Sequence, residues 1–405
     1  MKKLNLIPVA LAALAACGSA AAQTSVTLYG QVAAGVEYRN HQGAGVGGNQ
    51  WLVNNNEFYV SNFGLRGSED LGDGMKAIFR LESGMNTDVG TAGGPTGNTT
   101  SQNKFWNRQS FVGLDFGANG TLTVGRQFSA LVDRAVRTMD PYNVGGNGLQ
   151  TTPVALYGVN RYVPAAANFI TNDNRSDDSV KYRVIVPAYG IDAGASMGYD
   201  DGEGAHYSFD VNHTNGKDYN IGAGYIQYKA PAALANGHVP KATTWIIGGN
   251  LTFGTVKLYA NYMYNKLEQS AATNPLTAAT APAAIPLLAA QVDKIVTVGA
   301  RWSVAPNMDL SGAFYADKGT GLGSNGAATA GFDGKKNTFV AAVDYYLSKR
   351  TLLNFGYFAT KLSDGYLRDL WSATILSGYN THLTGINGMG FSTYSGFQVG
   401  MRHSF

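Results

Sequence analysis

The chain of 405 residues is 44% apolar but only 14% charged, whereas soluble domains average about 25% charged residues. Its 52 glycines and 23 tyrosines exclude a disordered polymer, which would be polar and poor in aromatic side chains. The formal net charge of +3 offers no electrostatic case for binding nucleic acid. A single cysteine, Cys17, excludes a disulfide framework and a cysteine-rich zinc site.

Residues 1–22 have the pattern of an export signal. Lys2 and Lys3 precede a short apolar run over 4–16, and alanines at 20–22 form a small-residue cleavage site before Gln23. We therefore expect a signal peptide over 1–22 and one mature domain over 23–405. A lipoprotein signal that ends at Cys17 is the alternative. The long uncharged stretch 271–290 contains three prolines, so it cannot form a regular spanning helix.

From Val26 onward the dominant pattern is an alternation of apolar and polar residues, which is typical of strands. In the first segment Val26, Leu28 and Val32 share one face, with Thr27 and Gln31 on the other. The same period of two returns over 191–199, 256–264, 308–314, 339–345 and 353–357. No comparable helical stripe follows, so the mature chain is predicted to be all-β.

The connections between these segments alternate between short and long. Short turns are expected near 70–74, 117–120, 187–190, 214–218, 253–254, 305–307 and 348–350. Long polar loops are expected near 40–56, 87–104, 128–175, 200–205, 230–242, 266–293, 317–336 and 361–392. This order predicts about sixteen strands in an antiparallel transmembrane β-barrel with short periplasmic turns and long external loops. A soluble β-sandwich is the alternative, but its outward faces would carry charges, and these are apolar.

Six stretches add a more specific signal: SVTLYG at 25–30, FGLRGSEDLG at 63–72, KAIFRLE at 76–82, RQSFVGL at 108–114, GRQ at 125–127 and GMRHSF at 400–405. Together they resemble the general porins of Gram-negative bacteria, and most closely the β-proteobacterial branch. The resemblance implies a sixteen-stranded barrel in the outer membrane, assembled as a homotrimer, with its third external loop folded into the lumen. It also implies that the terminal Phe405 is read by the barrel-assembly machinery.

The connection over 128–174 is the longest in the barrel and follows the fifth strand, which matches the constriction loop of that family. Its candidate acidic residues are Asp133 and Asp140. Arg137 lies between them, so the loop departs from a purely acidic tip and predicts weak ion selectivity.

Basic residues on the polar faces of nearby strands are the candidates for the opposite wall of the constriction. A cation that faced hydrocarbon at the membrane midplane would cost about 2–4 kcal/mol, so the lumen is the favoured location. The basic wall candidates are Lys76, Arg80, Arg175, Lys181 and Arg183, and the acidic Glu82 shares the polar face of Lys76 and Arg80. The resemblance implies a further inward arginine at Arg108. Arg80, Arg108 and Arg175 are expected to form the core. For each of them a solvated position at the rim is the alternative. Arg126 has the parity of outward-facing residues and is predicted to be a subunit-interface or loop-latching residue.

These features predict a diffusion channel for small hydrophilic solutes and ions, with a mild anion preference. The expected partners are further copies of the chain, outer-membrane lipid and lipopolysaccharide, and the assembly machinery. We expect no cofactor and no metal, because the six histidines lack ligand spacing. A substrate-selective channel is one alternative. A barrel used as an enzyme, adhesin or anchor is another, although the histidine motif over 213–216 has Asn215 where a barrel phospholipase requires serine.

Overall fold

The computed structural model describes residues 25–42, 48–56, 58–92, 104–142, 175–200, 204–229, 239, 241–268, 290–322, 332–367 and 392–405. Most of these residues form strands, which are joined into one closed antiparallel sheet. The strands are β1 Ser25–Gln42, β2 Gly48–Asn54, β3 Asn62–Gly72, β4 Met75–Asn86, β5 Thr91–Ala92, β6 Gln109–Asp115, β7 Thr121–Phe128, β8 Arg175–Ser176, β9 Ser179–Val186, β10 Ile191–Asp200, β11 Gly204–Thr214, β12 Tyr219–Lys229, β13 Lys241–Phe253, β14 Val256–Leu267, β15 Gln291–Ala305, β16 Met308–Leu322, β17 Phe332–Tyr346, β18 Thr351–Asp364 and β19 Thr393–Ser404.

These strands fill sixteen positions in the wall of the barrel, as the sequence predicted. β2 and β3 pair with the two halves of β1 and share one position. β8 and β9 share another beside β7, and β5 pairs only with the end of β4. The last strand, β19, pairs with β1 from Gln31 to Arg39, which closes the barrel. Closure leaves no unpaired sheet edge in the membrane.

All seven predicted short turns join neighbouring strands at one end of the barrel, where both β1 begins and β19 ends. The strand ends that the longer connections join therefore lie at the other end. The wall extends further than the sequence predicted at this end. β16 continues to Leu322 and β17 begins at Phe332, inside the loop expected over 317–336. Backbone pairing persists there although the side chains no longer alternate in polarity.

Burial in the barrel is inverted relative to a soluble protein. Outward positions carry exposed apolar side chains such as Val26, Leu28 and Trp302. Inward positions of the same strands carry buried polar ones such as Glu37 and Thr297. This is the arrangement that hydrocarbon outside and a polar lumen inside require. No helix among the described residues is long and apolar enough to cross a bilayer.

Candidate functional site

The loop that follows β7 turns into the barrel and lies along its inner wall. Backbone amides at its start donate to serine hydroxyls of the wall, Ala130 N to Ser196 Oγ at 3.0 Å and Leu131 N to Ser208 Oγ at 2.9 Å. Further along, Asn250 Nδ2 donates to the carbonyl oxygen of Thr138 at 2.6 Å. These contacts place residues 129–142 inside the lumen, as the resemblance implied.

An unusual apolar patch on the inner wall holds this loop. Leu131 and Met139 of the loop are fully buried against inward side chains of β12 to β15. The wall side chains in this cluster are Ile226, Tyr228, Ala242, Ile246, Met263 and Ile295. Because an apolar patch facing water is unfavourable, covering it stabilises the inward position of the loop.

Asp140 and Asp133 have different roles in the loop. Asp140 is buried, accepting hydrogen bonds from the Tyr315 hydroxyl at 2.9 Å and from the backbone amide of Tyr142 at 2.7 Å. It therefore fixes the loop to β16. Asp133 is more accessible and faces Lys181 Nζ at 3.1 Å and Arg183 Nε at 3.5 Å. The side chain of Arg137 lies outside the described part of the structure.

Lys181 and Arg183 lie in a cluster in which carboxylates balance their charges. Lys181 Nζ also donates to the carbonyl oxygen of Phe128 at 3.2 Å. Arg183 is also paired with Asp192 at 2.5 Å and with Asp210 at 2.6 Å. Two cations thus meet three carboxylates, counting Asp133. Of these side chains Asp133 is the most accessible, so this side of the lumen presents negative charge.

A second charged cluster lies on β4 and β6, on another part of the wall. The buried carboxylate of Glu82 is held between Arg80 Nη2 and Arg108 Nε, each at 2.6 Å. The Tyr29 hydroxyl donates to Glu82 at 2.8 Å and accepts from Arg80 Nε at 2.7 Å. Three of the predicted wall residues, Arg80, Glu82 and Arg108, therefore form one hydrogen-bonded unit.

Tyr29 and Arg66, which were not among the predicted site residues, complete this unit. The guanidinium groups of Arg66 and Arg80 lie 5.3 and 5.2 Å from the centre of the Tyr29 ring. Arg66 is directly opposite Arg80 in the β3–β4 register and is exposed to the lumen. The register of this pair shifts by one residue between Asp70 and Gly72, so counting back from Arg80 across the turn would have given Gly67 in place of Arg66.

Other predicted residues lie elsewhere. Arg175 lies beside Phe128 at the loop end of the barrel, its guanidinium 4.4 Å from the ring centre. Lys76 is exposed near a short turn, in register with Asp70 and Asp115.

Arg126 is buried and contacts residues that precede β6 and β9. It donates to the carbonyl oxygen of Asn107 at 2.7 Å and pairs with Asp177 at 2.6 Å, and Asp177 also pairs with Lys104. Burial raises the pKa of Asp177, but the charges of Arg126 and Lys104 outweigh this effect and hold the pKa below its ordinary value.

Further cations line the inner wall between β14 and β19. Arg301 pairs with Asp309 at 3.0 Å and lies 3.5 Å from Asp344. Arg402 stacks over the ring of Tyr59 at 4.6 Å, and the Tyr59 hydroxyl donates to Asp344 at 2.6 Å. Burial and the charge of Asp344 raise the pKa of Tyr59 well above its ordinary value, so this hydroxyl remains a donor.

Cations on this arc of the wall are more accessible than their counter-ions. The side chains of Arg80 and Arg301 are 35% and 31% exposed, whereas those of Glu82 and Asp344 are 4% and 8% exposed. A solute in the lumen therefore meets positive charge here and negative charge at Asp133. Among the described residues no group of three or more histidine, cysteine or acidic side chains is arranged to bind a metal ion.

Comparison with known proteins gives consistent results. A family model for Gram-negative porins matches residues 9–365. An outer membrane porin protein of Bordetella pertussis is 29% identical over 283 residues, covering 65% of this chain and 69% of that protein. The solved anion-selective porin from Comamonas acidovorans superposes with a TM-score of 0.68 at 21% identity, covering 95% of this chain and 100% of that one. A trimer form of OmpT from Vibrio cholerae superposes with a TM-score of 0.58 at 14% identity, covering 94% of this chain and 99% of that one.

Proposed function

Because this chain belongs to the Gram-negative porin family, we propose that it forms a general diffusion channel of the outer membrane, weakly selective for anions. The channel passes small hydrophilic solutes and ions through the barrel lumen. Such transport needs a hydrated path and a charged constriction but no catalytic group.

The observation that carries the anion preference is the difference in accessibility between cations and carboxylates on the wall. The exposed or half-exposed cations follow one arc from β14 round to β6: Lys257, Arg301, Arg402, Arg66, Arg80 and Arg108. The carboxylates paired with Arg80 and Arg301 are less accessible than the arginines themselves. Since the cluster around Asp133 is acidic, the two sides of the lumen place a transverse field across it.

The test is the reversal potential of purified protein in a planar lipid bilayer under a KCl gradient. The wild-type protein is expected to give a small reversal potential of anion-selective sign. A triple variant, Arg66→Gln, Arg80→Gln and Arg108→Gln, is expected to shift it toward cations, because this arc of the lumen loses positive charge.

A matched control removes three cations from exposed short turns: Lys217→Gln, Lys349→Gln and Arg350→Gln. It changes the total charge equally and should leave the reversal potential close to that of the wild type. An unchanged potential in the wall variant would contradict the proposed filter. Absence of conductance from folded protein would contradict the channel itself and favour an enzyme, adhesin or anchor.

The same recording tests whether the chain assembles as a homotrimer. The trimer form of the similar OmpT structure supports this assembly. Conductance steps that close in threes are the expected result. Saturable flux of one solute would instead favour a substrate-selective channel.

We also propose that export removes residues 1–22, which lie outside the described residues. Mass spectrometry of protein isolated from outer membranes should give a mature chain that begins at Gln23. A lipid-modified chain that begins at Cys17 would contradict this cleavage site.

A further inference from the structure

A second segment of the chain folds into the lumen, between β2 and β3. This second inward segment consists of residues 55, 56 and 58–61. From it, Asn56 Nδ2 donates to Asn354 Oδ1 of β18 at 2.7 Å, and Tyr59 reaches Asp344 of β17. In the wall, β19 and β1 separate β3 from β18. The segment therefore crosses the inner face of two strands.

Hydrogen bonds to its own backbone hold the segment in shape. The amide of Asn56 donates to Asn54 Oδ1 and the amide of Phe58 donates to Asn56 Oδ1, both at 3.0 Å. At the other end, the Ser61 hydroxyl bonds both backbone groups of Ala33 on β1. Side chains thus satisfy backbone groups that have left the sheet, which is what a fixed inward segment requires.

Phe58 lies where this segment meets the constriction loop. Its ring is 7% exposed and occupies the space that Gly356 of β18 leaves, since a Cβ on Gly356 would overlap the ring. The ring centre lies 5.9 Å from that of Tyr142, at an interplanar angle of 56°. The backbone amide of Tyr142 donates a hydrogen bond to Asp140, which holds Tyr142 in place. The two inward segments therefore approach each other from opposite directions around the barrel and touch through these rings.

We propose that Phe58 is a positioning residue of the channel, which joins the second inward segment to the constriction loop. The joined segments form one belt along the inner wall from β9 round to β1. The wall of β3, β4 and β6, with Arg66, Arg80 and Arg108, forms the remaining side of the neck. The opening of the neck is then set by the belt as a whole, and the contact of Phe58 with Tyr142 holds the loop tip still. This inference rests on the proposed function, because the lumen must be the conducting path.

Two variants disturb this contact in different ways. Phe58→Ala removes the ring, and Gly356→Ala keeps the ring but takes away its space. Both should increase single-channel conductance or its variability, with a rise of roughly twofold in open-channel current noise, because the loop tip is released. Phe58→Leu fills part of the space and should restore most of the wild-type behaviour. Phe355→Ala, one residue along β18 but exposed on the outer face, is the control and should change neither quantity.

A cross-link tests the contact without relying on conductance. In a Cys17→Ser background, cysteines introduced by Phe58→Cys and Tyr142→Cys should be joined by a short bis-maleimide in folded protein. If either alanine variant fails to fold, as judged by heat-modifiable migration, the other variant and the cross-link decide. A conducting wild type whose Phe58→Ala and Gly356→Ala variants are unchanged, or absence of the cross-link, would overturn the belt. A wild type that does not conduct would instead overturn the proposed function.

Discussion

Glu82 organises the arginines of the β3–β6 wall. Its two carboxylate oxygens accept from Arg108 and Arg80 on separate sides, and Tyr29 binds both Arg80 and Glu82. A planar guanidinium pairs well with a carboxylate, and this pairing fixes the direction of the side chain as well as its charge. The acid therefore holds the arginines in place while remaining beneath them.

Replacing Glu82 by glutamine should make the channel more anion-selective and less stable. The amide keeps the size of the side chain but removes one negative charge from the wall. Leaving buried polar partners incompletely paired costs about 1–3 kcal/mol. We expect the reversal potential under a KCl gradient to move further in the anion-selective direction and the thermal unfolding midpoint to fall.

The control for this prediction is Glu69→Gln, which removes an exposed carboxylate from β3. It makes the same change in total charge without touching the cluster, so both quantities should stay near their wild-type values. A Glu82→Gln channel with wild-type selectivity would show that the cluster does not set the ion preference.

At the scale of the elements, ion pairs hold described residues at the ends of two long connections to the wall. Asp177, which precedes β9, pairs with Arg126 of β7. The same carboxylate pairs with Lys104, which precedes β6. One carboxylate thus joins the ends of two connections to a single strand. The position of these connections depends on charge pairing as well as on apolar contact.

Asp177→Asn should lower the stability of the barrel at neutral pH by about 1–3 kcal/mol, because the buried Arg126 loses a charged partner. The pKa of Asp177 is lower in the folded chain than the value of about 3.9 for a free aspartate. Its contribution is therefore complete above pH 4 and is lost as the pH falls through the folded pKa. Thermal unfolding midpoints at pH 7 and pH 3 measure this effect.

We expect the difference in thermal unfolding midpoint between wild type and Asp177→Asn to be smaller at pH 3 than at pH 7. Asp178→Asn changes the neighbouring carboxylate, which is exposed, and serves as the control. A gap between wild type and Asp177→Asn that is equal at both pH values would mean that the ion pair does not stabilise the barrel.

At the scale of the whole molecule, the barrel depends on the seam between its first and last strands. Beyond the β1–β19 ladder, the amide of Gly30 donates to the carbonyl oxygen of Phe405 at 3.2 Å and the amide of Phe405 donates to that of Gly30 at 3.0 Å. The Phe405 side chain lies on the outer surface and is 43% exposed. Its backbone therefore closes the barrel while its ring remains accessible.

This division of roles predicts different outcomes in cells and in detergent for Phe405→Ala. The backbone bonds of the seam remain, so purified protein should refold in detergent to a heat-modifiable form. In cells, the amount in the outer membrane should fall, because the terminal aromatic ring is the proposed signal for the assembly machinery. Phe397→Ala removes an outward ring from the same strand, and quantifying both variants in membrane fractions is the measurement. Normal cellular levels of Phe405→Ala would contradict the signal.

Alternation along the chain was sufficient to predict the strand order, the turn positions and the inverted pattern of burial. These features depend on local periodicity and on turn residues. Both can be recognised in the sequence when one face of each strand contacts lipid. The same alternation predicted inward positions for Arg80 and Glu82, and the family resemblance predicted one for Arg108. It did not identify Arg66 or Tyr29, because their roles arise from the register between separate strands.

The arrangement of the lumen follows from the folded barrel and could not be predicted from alternation. The inward fold at Phe58, the recess over Gly356 and the carboxylates around Arg183 bring together side chains from distant parts of the chain. Alternation tells only that a residue points inward, and it carries no information about which inward residues meet across the barrel. The closure of sixteen strands into a barrel determines which inward residues are in contact. It thereby also determines which charges are accessible and which are buried.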